Sequence, residues 1–209
     1  MMKPLAAAAL ALLAATPALA ESNNSIEFRL ASGTYVLEDS FDEIELESAG
    51  IDLRGEFLIA DQVFVRGELL STTADEIELN GVDYDVDVDT TLLRFGLGYQ
   101  GMLDTVVIYG AFEYGEAEFD IEDGGSSDDS GWIVSGGIRD NGENPFLWKV
   151  ELGLVEFDDS DGAVFEFVVG YRVSEMVAIV LGGQSYEIED DFGGEISIPN
   201  GSIGVQLRF

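Results

Sequence analysis

The sequence predicts an all-β protein, an up-and-down antiparallel transmembrane β-barrel, with ten strands preferred and eight as the alternative. Three observations support this fold class. Apolar and polar residues alternate with a period of two through a succession of segments along the chain. The gaps between these segments alternate between short turns and longer polar stretches. The chain is also both strongly acidic, with a net charge of −33, and 46% hydrophobic, so charged and apolar residues must be segregated in space.

The first twenty residues have the features of a secretory signal peptide. Lys3 supplies a positive start, residues 6–15 are an apolar run too short to span a bilayer, and Ala18-Leu19-Ala20 is an A-x-A cleavage site. A short N-terminal membrane anchor is the alternative interpretation. We therefore divide the chain into a signal peptide, residues 1–20, and a barrel domain, residues 21–209, exported through the Sec pathway.

Ten segments of the exported chain carry the alternation. They are rich in β-branched and aromatic residues, whereas Asp, Gly and Ser are concentrated in the gaps. An even number of strands places both termini at the same end of the barrel. The eight-strand alternative would leave residues 21–48 as a periplasmic extension. The predicted strands are 26–37, 49–60, 62–73, 88–100, 105–119, 131–139, 146–157, 163–172, 176–189 and 198–209.

The two ends of the predicted barrel differ in charge and in the length of their connections. Longer gaps such as 74–86 carry most of the acid, whereas Arg139 and Arg172 lie beside short turns. Outer-membrane barrels have short periplasmic turns and longer extracellular loops, so we expect acidic extracellular loops. A secreted β-sandwich is the alternative. The aromatic residues expected at the two membrane interfaces are Tyr99, Phe146, Trp148, Tyr171 and Phe209 at the turns, and Tyr114, Trp132 and Tyr186 at the loops.

Residues 85–100, DVDVDTTLLRFGLGYQ, change character along one predicted strand. We interpret the acidic half as a stem outside the bilayer with water on both faces. Beyond Thr91 the apolar side chains alternate with Arg94 and glycines, as expected where one face meets lipid and the other faces the lumen.

Several stretches resemble small Gram-negative outer-membrane β-barrel proteins, namely LLRFGLGY (92–99), VVIYGAFEYG (106–115) and the ending IGVQLRF (203–209). The resemblance covers essentially the whole exported chain and implies a place in the outer membrane, in contact with lipid and lipopolysaccharide. In that family a terminal aromatic residue is the recognition signal for the barrel-assembly machinery. Here that residue would be Phe209.

Most of the few basic residues fall on the inward faces of the predicted strands, close to carboxylates. Glu27, Asp52, Glu113 and Glu166 share these faces. Buried charges need partners, and a narrow barrel is filled by side chains, so we predict an ion-pair network that plugs the lumen. A narrow cation-preferring or small-solute channel is the alternative. The predicted network consists of Arg29, Arg54, Glu56, Arg66, Glu68, Arg94, Lys149, Glu151 and Arg208.

Other chemistry has less support. Asp83, Asp85 and Asp87 lie at two-residue spacing, which allows weak contacts with divalent cations, although a solvated acidic surface explains them as well. The net charge disfavours nucleic acid. The chain has no Cys and no His, and the enzymes among barrels of this size rely on a catalytic histidine. We therefore expect no enzymatic activity and no cofactor, and the sequence names no extracellular partner.

Overall fold

Ten antiparallel strands form a closed barrel in the computed structural model, which describes residues 24–38, 43–79, 82–121, 125–158, 160–190 and 195–209. Each strand pairs with its sequence neighbours, and β1 pairs with β10. The predicted signal peptide lies outside these residues. The strands are β1 (Ser25–Glu38), β2 (Glu43–Ala60), β3 (Val63–Leu79), β4 (Val82–Leu103), β5 (Val106–Ile121), β6 (Gly125–Asp140), β7 (Phe146–Phe157), β8 (Ser160–Arg172), β9 (Val177–Asp190) and β10 (Glu195–Arg208).

The barrel has two distinct ends. We call one the turn end; it carries the connections β2–β3, β4–β5, β6–β7 and β8–β9 and both described termini, Asn24 and Phe209. The other, the loop end, carries the remaining five connections. Within the described residues, no helix is long and apolar enough to cross a membrane.

The prediction of ten strands is confirmed, and strand limits at the turn end lie close to those predicted. At the loop end the strands run further. β4 begins at Val82 rather than residue 88, and β6 begins at Gly125 rather than residue 131. Pairing across each hairpin satisfies the backbone hydrogen-bonding groups, so the ladder continues through the acidic stretches. Much of what we predicted as long loops is therefore paired strand.

A belt of apolar side chains surrounds the outside of the barrel. Phe28 on β1, Phe95 on β4 and Leu152 on β7 are each more than half exposed, at 51%, 53% and 63%. Large apolar side chains at such exposure need an apolar surrounding, because water would make their display costly. The belt is therefore an apolar outer surface of the kind that transmembrane barrels have.

The hydrophobic face changes sides along each strand. In the belt, apolar residues point outward and charged residues such as Arg94 point inward. Nearer the loop end of β4, Val88 is buried in the interior while Asp87 and Asp89 are exposed. The period of two persists, but the apolar residues now occupy the inward positions.

The inward apolar residues of the loop end form one packed cluster, which we call the apolar plug. Val88 is 5% exposed, so our interpretation of the acidic stem as wet on both faces is wrong for the inward face. The plug consists of Ala31, Tyr35, Leu46, Leu70, Ala74, Val88, Leu92, Ala117, Ile133, Val155, Phe157, Val164, Tyr186 and Ile198.

Tyr186 lies in the plug, not at the membrane interface as predicted, with 1% of its surface exposed. It has the same parity as the inward residue Gln184 on β9, so its side chain must point inward. Tyr114 and Trp132 do lie on the outer face, where their rings contact each other at 5.7 Å.

The two described ends of the chain are fastened to each other at the turn end. The backbone oxygen of Asn24 accepts a hydrogen bond from the amide of Phe209 at 3.1 Å. The side-chain oxygen of Asn24 accepts another from the amide of Leu58 at 2.8 Å. The ring of Phe209 lies 6.0 Å from that of Phe57. Asn24 thus joins β1, β2 and β10 where the barrel closes.

The inversion of the hydrophobic face can be tested on adjacent residues of β4. Val88→Asp should lower the free energy of unfolding by at least ~3 kcal/mol, because it places a charge in the plug. Asp87→Asn, on the exposed face, should change it by less than about 0.5 kcal/mol. Urea unfolding in lipid vesicles, followed by heat-modifiable gel migration, measures both. Equal effects of the two substitutions would show that the stem is wet on both faces.

Candidate functional site: the charged interior of the barrel

Charged side chains from seven strands meet inside the barrel, on the turn-end side of the apolar plug. They occupy inward positions because each strand alternates its side chains between the two faces of the sheet. Cross-strand register then brings opposite charges together, as where Glu68 of β3 lies opposite Arg94 of β4. We call this set the lumen network: Arg29, Arg54, Arg66, Arg94 and Lys149 with Glu27, Asp52, Glu68, Glu113, Glu151 and Glu166.

Arg94 lies at the centre of one half of the network and is 1% exposed. Its Nη2 contacts Glu113 Oε2 at 2.7 Å and Glu151 Oε1 at 3.4 Å. Its Nη1 lies 3.3 Å from Glu68 Oε2 and donates to the hydroxyl of Tyr186 at 3.0 Å. The guanidinium therefore links three carboxylates and joins the network to the apolar plug.

Arg66 shares two of these carboxylates. Its Nη1 lies 2.7 Å from Glu151 Oε2, and its Nη2 pairs with Glu113. The same Nη2 donates to Ser135 Oγ at 2.6 Å. Glu113 and Glu151 are thus each held between two guanidinium groups, Arg66 and Arg94.

Arg54 is the corresponding centre of the other half. Its Nε lies 2.8 Å from Asp52 Oδ2, and its Nη2 lies 3.1 Å from both Glu68 Oε1 and Gln184 Oε1. Its Nη1 pairs with Glu166. Because Glu68 also contacts Arg94, the two halves form one connected network.

Two further cations complete the ring of contacts. Lys149 Nζ lies 2.8 Å from Glu166 Oε2 and 3.3 Å from Glu151 Oε2. Arg29 pairs with Glu27 and lies 3.7 Å from Glu166 Oε1. Every predicted member of the network except Glu56 and Arg208 is part of this arrangement.

The lumen network is close to electrically neutral, with five basic groups and six carboxylates. Apart from Lys3, the remaining basic residues of the chain, Arg139, Arg172 and Arg208, also lie inside or at the turn end. Isolated charges would be very costly in this interior, whereas paired and hydrogen-bonded charges are tolerated. The charges of the described interior are therefore nearly compensated.

Glu56, which we predicted to join the network, instead pairs with Arg139 at the turn end, with 2.5 Å between Oε1 and Nη1. The guanidinium of Arg139 also lies 6.0 Å and 5.4 Å from the ring centres of Phe64 and Tyr109. Inward parity correctly predicted that Glu56 points inside. Its partner Arg139 has the inward parity of Ile133 and Ser135 on β6 but was not among the predicted members of the network.

Arg208 also lies apart from the lumen network. A Cβ placed on Gly142 would be 2.9 Å from Nη2 of Arg208, so its guanidinium packs against the turn between β6 and β7. Arg172 pairs with Asp140 at 2.5 Å beside the same turn. These residues lie together at the turn end.

A cavity of about 90 Å³ remains inside the barrel, bordered by the network and by turn-end residues such as Glu56 and Arg139. The Nε atoms of Arg66 and Arg94 have no hydrogen-bond partner among the described residues. Unpartnered polar atoms beside a cavity of this size are places for ordered water. The interior is thus polar toward the turn end and apolar toward the loop end.

The divalent-cation hypothesis concerns residues on β4. Within the part of the chain that the structure describes, no three His, Cys, Asp or Glu side chains are arranged to hold a metal ion. Asp87 is exposed, and the side chains of Asp83 and Asp85 lie outside the described set. The hypothesis stays a prediction.

The geometry fits what comparison with known families shows. Residues 5–209 match the family described as "Outer membrane protein beta-barrel domain". The chain belongs to that family. Its place in the outer membrane of a Gram-negative bacterium follows, as the sequence predicted. Among curated protein sequences, none matches the chain.

Solved structures of other outer-membrane barrels are similar to this chain. The outer membrane protease OmpT from Escherichia coli is 9% identical with a TM-score of 0.58, over 92% of this chain and 99% of that one. Ail, the attachment invasion locus protein of Yersinia pestis, is 14% identical with a TM-score of 0.43, over 90% and 99%. Neisserial surface protein A is 12% identical with a TM-score of 0.48, over 90% and 98%. At these identities the likeness concerns the fold alone.

The predicted network did not include the neutral polar residues of the lumen. Tyr109 donates to Glu151 Oε2 at 2.7 Å, while Ser135 and Gln184 accept hydrogen bonds from arginines. Tyr109 and Ser135 have the parity of the inward residues Glu113 and Arg139 on their strands, and this signal could have identified them. Gln184 lies on the inward face of β9 with Val180 and Tyr186. The predicted network contained charged residues only.

The network can be tested by removing one charge and then its counterpart. Arg94→Met should lower the free energy of unfolding by roughly 3–5 kcal/mol, because it leaves buried carboxylates without a shared cation. The double variant Arg94→Met/Glu113→Gln should recover part of that loss. Urea unfolding in lipid vesicles measures the coupling. Additive losses in the double variant would mean that the two groups do not act as a pair.

Proposed function

We propose that this protein is a non-conducting outer-membrane barrel that acts through its acidic loop end, in a structural or surface-interaction role. The observation that supports the proposal is that two successive layers of side chains occupy the interior. The lumen network fills the membrane-embedded half, and the apolar plug fills the loop end.

Each layer opposes conduction for a different reason. In the network, the cations and carboxylates contact each other, so a permeating ion would have to break buried pairs. In the plug, Val88, Tyr186 and their neighbours are almost fully buried and offer no hydration to an ion. A ten-stranded barrel lies near the size at which side chains fill the interior, which agrees with closure.

The outer surface of the loop end supports a role in contacts with other molecules. Exposed carboxylates such as Asp89, Glu156 and Asp161 lie there, and every basic residue after Lys3 is inside the barrel or at the turn end. This surface repels lipopolysaccharide phosphates unless cations bridge them. We propose that the belt contacts lipid and that divalent cations mediate weak contacts with lipopolysaccharide.

The alternative function is a narrow channel that prefers cations or small solutes. The cavity of about 90 Å³ beside Arg66 and Arg94 favours it, because this volume is large enough to hold ordered water. Conduction would then require the apolar plug to move.

We propose no enzymatic activity. The chain has neither His nor Cys, so the common general base and the thiol nucleophile are both missing from its sequence. The carboxylates of the lumen network are occupied by ion pairs. The likeness to the protease OmpT extends to the fold only.

Planar-bilayer recording tests closure. The purified protein should give no reproducible conductance steps, because both layers must open for an ion to pass. Reproducible cation-selective steps would instead establish the channel.

Substitutions in the network separate the two functions further. If the lumen is plugged, Arg54→Ala and Arg66→Ala should mainly reduce stability, by roughly 3–5 kcal/mol, measured by urea unfolding. In a channel, the same substitutions should change single-channel conductance. A matched outward variant, Leu152→Val, should leave both measurements close to the native values.

Assembly is proposed to depend on Phe209, the aromatic residue that ends β10 and packs near Phe57. Deletion of Phe209 should reduce the amount of protein inserted in the outer membrane, because the assembly machinery would lose its recognition signal. Membrane fractionation with heat-modifiable migration measures insertion, and Phe209→Tyr is the control that keeps an aromatic end. Native amounts of the deletion variant would exclude this role.

A further inference from the structure

The loop end has a step between β6 and β7. β6 pairs with β5 up to Gly125, opposite Ile121, but it pairs with β7 only as far as Gly131, opposite Phe157. The first residues of β6 therefore extend beyond the end of β7 at the loop end. Among the described residues, no strand pairs with this segment on its β7 side. We call the β7-facing backbone of residues 125–130 the open edge.

The direction of the backbone groups at the open edge follows from its lower end. The oxygen of Ser130 accepts a hydrogen bond from the amide of Asp158 at 3.0 Å, so the groups of Ser130 point toward β7. The amide of Ser130 donates to Asp129 Oδ1 at 2.8 Å. Since backbone groups alternate along a strand, those of Asp128 and Ser126 also point to the open edge.

Asp129 marks the end of the open edge that lies next to β7. Its Oδ1 accepts from the amide of Asp158 at 3.1 Å, and its Oδ2 accepts from Ser160 Oγ at 2.7 Å. Above this contact, residues 125–128 are exposed. Two residues, Ser126 and Asp128, therefore present amide and carbonyl groups to an incoming chain.

The surroundings of the open edge carry one sign of charge. Asp128 lies directly opposite Glu118 on β5, and Asp120 lies opposite Ser126. Asp158 and Asp161 are exposed beside the edge. Every lysine and arginine after Lys3 lies within the barrel or at the turn end. A surface of one sign attracts side chains of the opposite sign.

We propose that the open edge of β6 binds an extended, lysine- or arginine-rich segment of another protein by adding it to the barrel wall as a further strand. Backbone hydrogen bonds to Ser126 and Asp128 supply the alignment, and the surrounding carboxylates attract and select basic side chains. This inference deepens the proposed role in surface interaction and rests on it.

A second copy of this chain does not fit the open edge. Pairing two β6 edges would bring Asp128 and its acidic neighbours from both molecules together. The same charges that attract a basic strand therefore prevent self-association through this edge.

The test uses the full barrel in nanodiscs of zwitterionic lipid and a fluorescein-labelled nine-residue peptide of alternating lysine and threonine. Fluorescence anisotropy at low salt should show saturable binding. Ser126→Pro should weaken it about tenfold, because proline removes the amide at the open edge but none from the β5 ladder. The matched control, Ser126→Ala, keeps that amide and should bind within about twofold of the native protein.

A second peptide tests the same backbone hydrogen bonds in the native protein, so this test does not depend on the folding of the Ser126→Pro variant. The same peptide, N-methylated on all backbone amides, keeps its charge but has no backbone donors, so it should bind about tenfold more weakly. Equal binding of both peptides, equal binding of the two Ser126 variants, or no saturable binding would each overturn the inference. Conductance steps would contradict the proposed closure of the lumen while leaving the peptide result unaffected, so the two failures are distinguishable.

Discussion

Charge compensation inside the barrel is the constraint on which the rest of the structure depends. The chain has few basic residues, and those in the lumen are each placed among carboxylates, as Arg94 is among Glu68, Glu113 and Glu151. A buried carboxylate without such a neighbour would be strongly destabilising. Because almost all positive charge is used in the interior and at the turn end, the loop end is left uniformly acidic. The placement of the few basic residues therefore explains both the compensated interior and the acidic loop end.

The fold could be predicted from the sequence because strand parity is visible without coordinates. Phe165 and Phe167 alternate with Glu166, and this pattern sets both the strand and its orientation. The loop end was harder to predict, because acidic residues there suggest loops. Glu45 and Glu47, which lie between two predicted strands, are in fact residues of β2 and flank the buried Leu46. Composition indicated a loop, whereas alternation indicated a strand and was the better guide.

The candidate site was predictable in its members but not in its pairings. Parity alone placed Arg54, Arg66 and Lys149 inside. Which carboxylate each cation contacts depends on the curvature of the barrel and on strand stagger, which bring residues such as Arg54 and Glu166 together across the lumen. Such contacts across the lumen cannot be predicted from the local sequence. The step between β6 and β7 has the same origin, since it arises from the unequal heights of two adjacent hairpins.

The apolar plug has a thermal consequence. Burial of apolar surface from water weakens on cooling, because its driving force near room temperature is entropic. The loop end relies on such burial, whereas the membrane-embedded half relies on ion pairs and hydrogen bonds and keeps its apolar side chains in lipid. Cold therefore loosens the part of the barrel that stands in water before the part that lies in the bilayer, although the same ten strands build both.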